Sequence, residues 1–393
     1  VKQVLNRYGR LLTDERCVHP NRVALTCRND VITCIGPSDL ATLAMAVMER
    51  LPSTALVVAE PLSPYSDLLQ RRASCGQKAI VPRDSESRSS LHDIPLVQVD
   101  TCGLPEAIAS ALARRKGCIV NGIGMVSHGA LTVEQAYIGW SSLYHATFIK
   151  YLEDLLSQGP LLFDELAVVE RLLTPLPTTT SALPDFRTGP LCNPVTIMSE
   201  LAAVGRATVT MGLVDSFFGN ISYAGQDALY ISQTSARLDE LDQQIDPIPY
   251  DDSSTAGITA SSELPAHCAI FKATGCRAIL HGHPRFPVVM SFFSTPTKHE
   301  GIDQVCGIPV VGGEGGQGGL AESLPRAFKL TGKQAVIVRG HGVFSIGQDD
   351  FRAPFATLVS VERACHRAFQ QQLAMRIRLL HGADGQHAKK ALR

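Results

Sequence analysis

The chain has no run approaching the roughly 18 consecutive apolar residues that would cross a bilayer, so no membrane partner is expected. It also lacks an excess of either charge: 36 Lys plus Arg stand against 37 Asp plus Glu, a formal net charge of −1. Without a field of one sign over the surface, neither nucleic acid nor an anionic surface is drawn to it, and a small molecule is the expected partner. Its 11 cysteines are odd in number and never spaced Cys-x-x-Cys, which argues against a disulfide scaffold or a zinc ribbon. The opening Val1-Lys2-Gln3-Val4-Leu5 has no basic-then-apolar leader, so a reducing cytoplasm is expected, where free thiols are usual.

What is present points to a folded protein of more than one domain. Apolar residues make up 45% of the chain and charged ones 19%, which excludes intrinsic disorder. At about 150 residues per domain, 393 residues suggest two or three. The clearest break is the Pro/Thr-rich stretch from Thr174 to Pro184, where missing backbone donors disfavour helix and central strand alike. Before it, apolar residues from Leu131 to Leu173 recur at helical spacing. After it, Ile197 to Met211 is again helical in pattern, and β-like runs occur at Ala228–Ile231, Ala278–Leu280, Val288–Phe293 and Ala335–Val338. The class is therefore α/β or α+β.

The chain also repeats itself. Lys116 to Gly129 lies over Lys333 to Gly347 with one residue of slip, Ser38-Asp39-Leu40 over Ser262-Glu263-Leu264, and Ala55 to Pro61 over Ala278 to Pro284. The offsets are 218, 224 and 223 residues, so the order is kept and only small insertions intervene. Asn21 to Asp39 is 18 residues where Asn220 to Glu263 is 43, so the first copy is the shorter one.

Chemistry concentrates in the second copy. His281-Gly282-His283 ends an apolar run, and strand alternation would point both imidazoles to one face. His341 follows the next apolar run, in Gly340-His341-Gly342. Three neutral imidazoles around zinc leave one coordination position open, the catalytic arrangement, although a lone His-x-His is more often a surface or core pair. The comparison of copies favours ligands, because 281, 283 and 341 correspond to Val58, Glu60 and Ile123: all three imidazoles vanish together. His128 aligns with Ile346 and is not a ligand candidate. Ser261-Ser262-Glu263 opens a helical stretch, Leu264 to Ala273, and reads either as an anion site or as an ordinary cap. Gly219-Asn220-Ile221-Ser222 reads by itself as a turn.

Taken together, Met211-Gly-Leu-Val, Gly219-Asn-Ile-Ser222, Thr234, Ser261-Ser-Glu-Leu-Pro-Ala-His267, His281-Gly-His283 and Gly340-His-Gly342 resemble the class II aldolase/adducin family in order and spacing, over about Pro194 to Arg378. The first copy resembles a degenerate member. The resemblance implies an α/β fold of two tandem domains, each a mostly antiparallel sheet flanked by helices. The expected bounds are 1–157 for the degenerate domain without metal ligands, 158–193 for the linker region, 194–380 for the catalytic domain and 381–393 for a flexible tail.

The resemblance further implies that His281, His283 and His341 hold a divalent metal, most often zinc, with Mn2+, Fe2+, Ni2+ or Co2+ as alternatives. Glu263 would be the acid/base, and Gly219, Asn220, Thr234, Ser261 and Ser262 would hold a substrate phosphate. The implied activity is that of a metal-dependent lyase, cleaving a small sugar phosphate or a hydroxy or keto acid by a retro-aldol reaction through a metal-bound enolate. Epimerase, dehydratase, decarboxylase and non-catalytic adducin-like scaffold are alternatives within the family. A homo-oligomer is implied too, as a dimer forming a pseudo-fourfold ring or something larger.

Some positions depart from the family pattern: Ser235 stands where glycine is frequent, Phe217-Phe218 replace small residues, and Arg339 replaces Asn. Arg285 reads as a partner for a substrate carboxylate or as a surface arginine, and His267 as an orienting residue for Glu263 or as a core histidine. Gly312 to Gly319 reads as an active-site flap or a plain connector, without the Lys-Ser/Thr of a phosphate-binding loop.

Overall fold

The computed structural model describes residues 1–73, 76–98, 103–176, 183–215, 217–251, 253–313 and 319–391, with side chains to residue 380. Two compact units result: Val1–Asp154 with Leu161–Glu165, and Leu155–Pro160 with Leu166–Arg393.

The first unit is built on strands β1 (Val18–Arg28), β2 (Ile32–Ile35), β3 (Ala55–Pro61), β4 (Ala79–Ile80), β5 (Ile94–Val97), β6 (Gly117–Val120) and β7 (Gly124–Gly129). They form one sheet in the order β2-β1-β3-β7-β6-β5-β4, antiparallel except where β5 meets β6. Its helices are α1 (Lys2–Asp14), α2 (Ser38–Met48), α3 (Tyr65–Arg72), α4 (Ser85–Leu91), α5 (Leu104–Leu112) and α6 (Val133–Gln158). Leu40, Val47 and Met48 of α2 and Ile108 and Leu112 of α5 close a core against Leu56, Val58, Val120 and Val126. β6 is buried throughout and β3 at every residue but Glu60, as expected of central strands covered on both faces.

In the second unit, α7 (Glu165–Leu173, its first residue counted with the first unit) and α8 (Pro194–Thr210) precede β8 (Asn220–Ala224), β9 (Ala228–Ser232), β10 (Ile245–Pro249), α9 (Leu264–Thr274), β11 (Ala278–Gly282) and α10 (Arg285–Ser291). Then come β12 (Thr295–Pro296), β13 (Ile302–Val305), β14 (Ile308–Val311), α11 (Gly319–Thr331), β15 (Ala335–Val338), β16 (Gly342–Gly347) and α12 (Arg352–Ala391). The Asn193 side chain caps α8 by accepting from Thr196 N at 2.8 Å, with Pro194 at the first helical position. Gly275, at φ +70°, ends α9. The sheet runs β10-β9-β8-β11-β16-β15-β14-β13-β12, antiparallel except where β14 meets β15.

The repeat extends to topology. Starting from β9, the order β9-β8-β11-β16-β15-β14-β13 matches β2-β1-β3-β7-β6-β5-β4, with the parallel pair at the same place. Register agrees residue by residue: Ala278 faces Gly347 as Ala55 faces Gly129, and His281 faces Phe344 as Val58 faces Val126. Tyr65 packs on Phe148 and Tyr151 much as Phe286 packs on His366 and Phe369. Of the second unit's two extra strands, β10 and β12, β10 lies inside the longer interval between Asn220 and Glu263.

Four expectations need correction or extension. Val288–Phe293 is not a strand: it falls in α10 and the residues just after it, because Pro284 starts a helix and a short, fully buried apolar run has no periodicity to separate the two states. The first-copy counterpart of Asn220 is Ala24 rather than Asn21, since Asn220 pairs with His281 as Ala24 pairs with Val58. Part of the stretch expected to link the domains is built into the second unit, where buried Phe186 packs on Phe355 and Leu191 N donates to the Tyr223 hydroxyl at 2.8 Å. Helix α12 takes in residues 381–391 of the expected tail. Residues 177–182 of the Pro/Thr-rich stretch and 314–318 of the glycine-rich segment lie outside the described residues. Among the described residues no helix is long and apolar enough to cross a membrane.

Candidate metal and catalytic site

Three buried histidines meet where β11, β15 and β16 come together. His281 is the penultimate residue of β11 at 1% exposure, His283 directly follows the strand at 2%, and His341 sits at 2% in the tight turn between β15 and β16. Gly340 makes that turn with φ +67°, its N–H donating to Ser291 Oγ at 2.9 Å. His341 N bonds Val338 O at 3.0 Å. A methyl group at Gly342 would lie 2.5 Å from Gly282 O and 2.8 Å from His281 Cε1, so a glycine is needed for the histidines to close up.

The imidazole nitrogens converge. His281 Nδ1 lies 3.0 Å from Val343 O, which can only accept; this assigns the proton to Nδ1 and leaves Nε2 with its lone pair. That Nε2 is 2.9 Å from His283 Nε2 and 3.1 Å from His341 Nε2. Zinc–nitrogen bonds of about 2.0–2.1 Å in tetrahedral geometry put ligand nitrogens roughly 3.3 Å apart, so the spacing fits a small divalent cation. Lone pairs packed this closely repel unless a cation or protons lie between them. Among the described residues no other group of three His, Cys, Asp or Glu side chains gathers in this way.

Glu263, on the residue preceding α9, faces the histidines. Its Oε1 is 3.0 Å from His341 Nε2 and its Oε2 is 3.5 Å from His281 Nε2. Asn220 Nδ2 donates to Oε2 at 2.6 Å. Burial by itself raises the Glu263 pKa, but the adjacent His281 and His341 imidazoles and the Asn220 amide outweigh it and hold the carboxyl well below the usual carboxylate range. Asn220 thus acts on Glu263 directly, while its own Oδ1 is buried without a hydrogen-bond partner.

The other predicted residues are placed unevenly. Thr234 and Ser261 sit on neighbouring segments: Thr234 Oγ1 donates to Ala260 O at 2.8 Å, and Ser261 N to Ser232 O at 3.0 Å. Ser261 Oγ accepts from Glu263 N at 3.3 Å, a local turn contact, and Ser262 is exposed. Gly219 has φ +78°, and a methyl there would meet His281 O at 2.7 Å, which ties its identity to the packing of β8 on β11. Ser235, where the family prefers glycine, has φ +61°, the backbone region that explains the preference.

His267 is held by Ser222, whose Oγ lies 2.6 Å from Nδ1, and not by Glu263. Burial pushes its pKa down to about 4 despite the nearby Glu263 charge, so it is neutral near pH 7. Arg285 is not a free surface arginine: it pairs with Asp215 through two nitrogens, Nε to Oδ2 at 2.8 Å. Arg339 is paired with Asp303. Sequence reasoning missed Val343 O, which orients His281, Phe344, whose ring stacks on His281 at 3.9 Å, and Phe218, which stacks on His283 at 5.4 Å. Only the register of β11 on β16 reveals the first two.

In the first unit the same register positions hold no ligands. Val58 and Ile123 pack in the apolar core. Glu60 and Asp39, the counterparts of His283 and Glu263, both bind Arg22, at 3.1 and 2.6 Å. His128 is held by Ser53 at 2.8 Å.

The family model described as class II aldolase and adducin N-terminal domain matches residues 199–369, which include every residue of the histidine–glutamate cluster. Residues 199–369 are a class II aldolase/adducin domain. Among solved structures, this chain is similar to L-fuculose-1-phosphate aldolase from Thermus thermophilus, at 22% identity over 48% of this chain and 97% of that one, with a TM-score of 0.38. It is also similar to a sugar-phosphate aldolase from Thermotoga maritima, at 18% identity over 47% and 95% of the chains, with a TM-score of 0.30. A third is L-fuculose 1-phosphate aldolase from Glaciozyma antarctica, at 18% identity over 50% and 77%, with a TM-score of 0.32. No curated protein matches the chain in sequence. Within the class II aldolase domain, the histidine cluster is the set of side chains fitted to a divalent metal.

Proposed function

We propose that the second unit is a metal-dependent lyase that cleaves a carbon–carbon bond in a small sugar phosphate or a hydroxy or keto acid by a retro-aldol reaction. The observation that carries this reading is the 3.0 Å approach of Glu263 Oε1 to His341 Nε2, which sets a carboxylate beside three imidazole nitrogens that converge on one point. When bound, a divalent metal supplies Lewis-acid polarisation of a substrate oxygen, and three neutral imidazoles with an open position favour zinc. His281, His283 and His341 would hold it.

The chain's own groups supply the rest. Glu263 is ionised across the neutral range and is placed to take a proton from a substrate hydroxyl as the carbon–carbon bond breaks, then return it to carbon or oxygen. Asn220 Nδ2 fixes Oε2, which leaves Oε1 to face the reacting position. Gly219, Thr234, Ser261 and Ser262 would receive the substrate's anionic end. Phe218 beside His283 excludes water from one side.

The test is metal analysis of the purified protein followed by incubation with phosphorylated and unphosphorylated sugars and hydroxy acids, with aldehyde release as the readout. A protein that neither contains nor takes up a divalent ion would end this reading. We further propose assembly as a homo-oligomer, supported by the exposure of Tyr250 and Ile258 (58% and 83%) near edge strand β10. Light scattering that shows a fully active monomer would remove that part.

A further inference from the structure

Two residues past His283, Arg285 opens α10 and grips Asp215 through two nitrogens, Nε to Oδ2 at 2.8 Å. The side chains are 22% and 12% exposed, so solvent screens the pair little. Asp215 lies between α8 and β8, and its backbone carbonyl accepts from Phe218 N at 3.1 Å. The Phe218 ring returns to the ligand, stacking on His283 at 5.4 Å with 26° between the planes. The contacts close a circuit, from His283 along the chain to Arg285, across to Asp215, through its carbonyl to Phe218 and back onto the imidazole. The approach is tight on both sides of it: an added methyl at Gly282 would lie 2.9 Å from Leu213 O, and one at Gly219 2.7 Å from His281 O.

We propose that Asp215 and Arg285 are positioning residues for His283: their ion pair holds Phe218 against the imidazole and so sets the plane in which Nε2 meets the other two ligands. This role presupposes that the three histidines hold a divalent metal. The last torsion of a histidine side chain is soft, and a ligand ring has to be fixed by something outside itself. For His281 that something is Val343 O, 3.0 Å from Nδ1. For His283 it is an aromatic face, and a face orients a ring only while its own backbone stays in place. A guanidinium fork on a carboxylate supplies that restraint, because two parallel bonds fix direction as well as distance, which a lysine cannot do.

The first unit shows the same junction without ligands. Phe218 stands two residues before Asn220, as Arg22 stands two before Ala24, and Arg22 binds Glu60, the counterpart of His283, at 3.1 Å. Arg285 corresponds to Leu62, whose N–H donates to Cys17 O at 2.8 Å, next to the pairing of Val18 with Pro61. A backbone ladder joins the two segments there, where the second unit uses a side-chain fork. The fold therefore closes this junction without the fork. Fork and aromatic face are missing from the copy that is missing the three imidazoles, as expected of parts that serve the ligand rather than the sheet.

The experiment measures zinc affinity of the full-length protein by competition with a chromophoric chelator and records the visible spectrum of its Co2+-loaded form, whose bands report coordination geometry. Asp215→Asn and Arg285→Met should each weaken zinc binding about 10- to 100-fold and alter the Co2+ bands, the usual effect of removing a residue that orients a ligand. Arg285→Lys, which keeps the charge and loses the fork, should fall in between. Phe218→Leu should match Arg285→Met, and the double variant should be no weaker than either single one, because both act through one ring. Melting curves report folding; if Arg285→Met does not fold, Asp215→Asn and Phe218→Leu carry the test. Arg352→Met breaks another arginine–aspartate pair of the unit and should leave zinc affinity unchanged. Folded Asp215 and Arg285 variants with wild-type affinity and wild-type bands overturn the proposal, as do an additive double variant or an equal loss in Arg352→Met. A wild-type protein that takes up neither ion ends the metal-site reading, and this role with it, before any variant is made.

Discussion

Val58 in the first unit and His281 in the second occupy the same place in the same sheet: each faces the seventh-strand or sixteenth-strand residue in an equivalent register, Val126 and Phe344 respectively. One backbone position thus serves as core in one copy and as ligand in the other. The difference is made by its neighbours, since Ile123 packs with Val58 in an apolar cluster, whereas His341 and His283 bring their nitrogens to His281.

If the histidines hold the metal and Glu263 moves the proton, their variants separate. Glu263→Gln is expected to keep its metal and lose about 10²- to 10⁴-fold in kcat, the usual contribution of a general acid or base. His283→Ala should lose both metal and turnover. Plasma mass spectrometry and steady-state kinetics on the same samples check this, and full metal occupancy in the His283 variant would contradict the ligand set.

Asn220→Ala tests how the carboxylate is positioned. The 2.6 Å bond to Glu263 Oε2 involves a charged acceptor, and such bonds contribute about 1.5–3 kcal/mol, or roughly 10- to 100-fold. The loss is expected in kcat more than in KM, with metal content unchanged. A raised KM with kcat unchanged would instead make Asn220 a substrate-binding group alone.

The two copies share a crowded glycine. Added methyl groups at Gly342 and Gly124 would each lie 2.5 Å from a neighbouring carbonyl oxygen, Gly282 O and Ala59 O. Alanine at either position should destabilise by about 1–3 kcal/mol, the range for overpacking. Only Gly342→Ala should also lower metal affinity, because only there are His281 and His283 in contact with the new methyl. Denaturant titration and metal binding measured on both variants distinguish the outcomes.

Glu362 makes stability depend on pH. Burial pushes its carboxyl up to about 8 from an ordinary value of 4.5, with the Phe286 N–H donating to it at 3.2 Å in partial opposition. The folded state therefore binds a proton that the unfolded chain has released, so this group's contribution falls as pH rises from about 5 to 8. Glu362→Gln should match the wild type near pH 5 and melt a few degrees higher near pH 8.5. Parallel melting curves across that range check it, and identical slopes would remove Glu362 as the cause.

Much of the site is legible in the chain because ligand chemistry needs particular side chains at particular spacings. His281 and His283 lie two apart near a strand end, and the comparison with Val58, Glu60 and Ile123 marks His341 as the third member without reference to any contact. Other readings fail for local reasons. Val288–Phe293 has the composition of a strand and is largely helical, because a buried apolar run has no polar face to show its period. Arg285 carries no signal of its partner, since Asp215 is 70 residues away and arrives only through the fold.

The sequence by itself determined the duplicated order of elements, the loss of imidazoles from the first copy and the residue types of the metal cluster, because these follow from pattern and composition along one dimension. Only the tertiary structure decided which nitrogen of His281 faces the others, that Asn220 grips Glu263, and that Arg285 meets Asp215 across 70 residues of chain. Those are matters of register and approach within a few ångströms, and such distances are set by how sheets and helices pack, which neighbours in sequence do not specify.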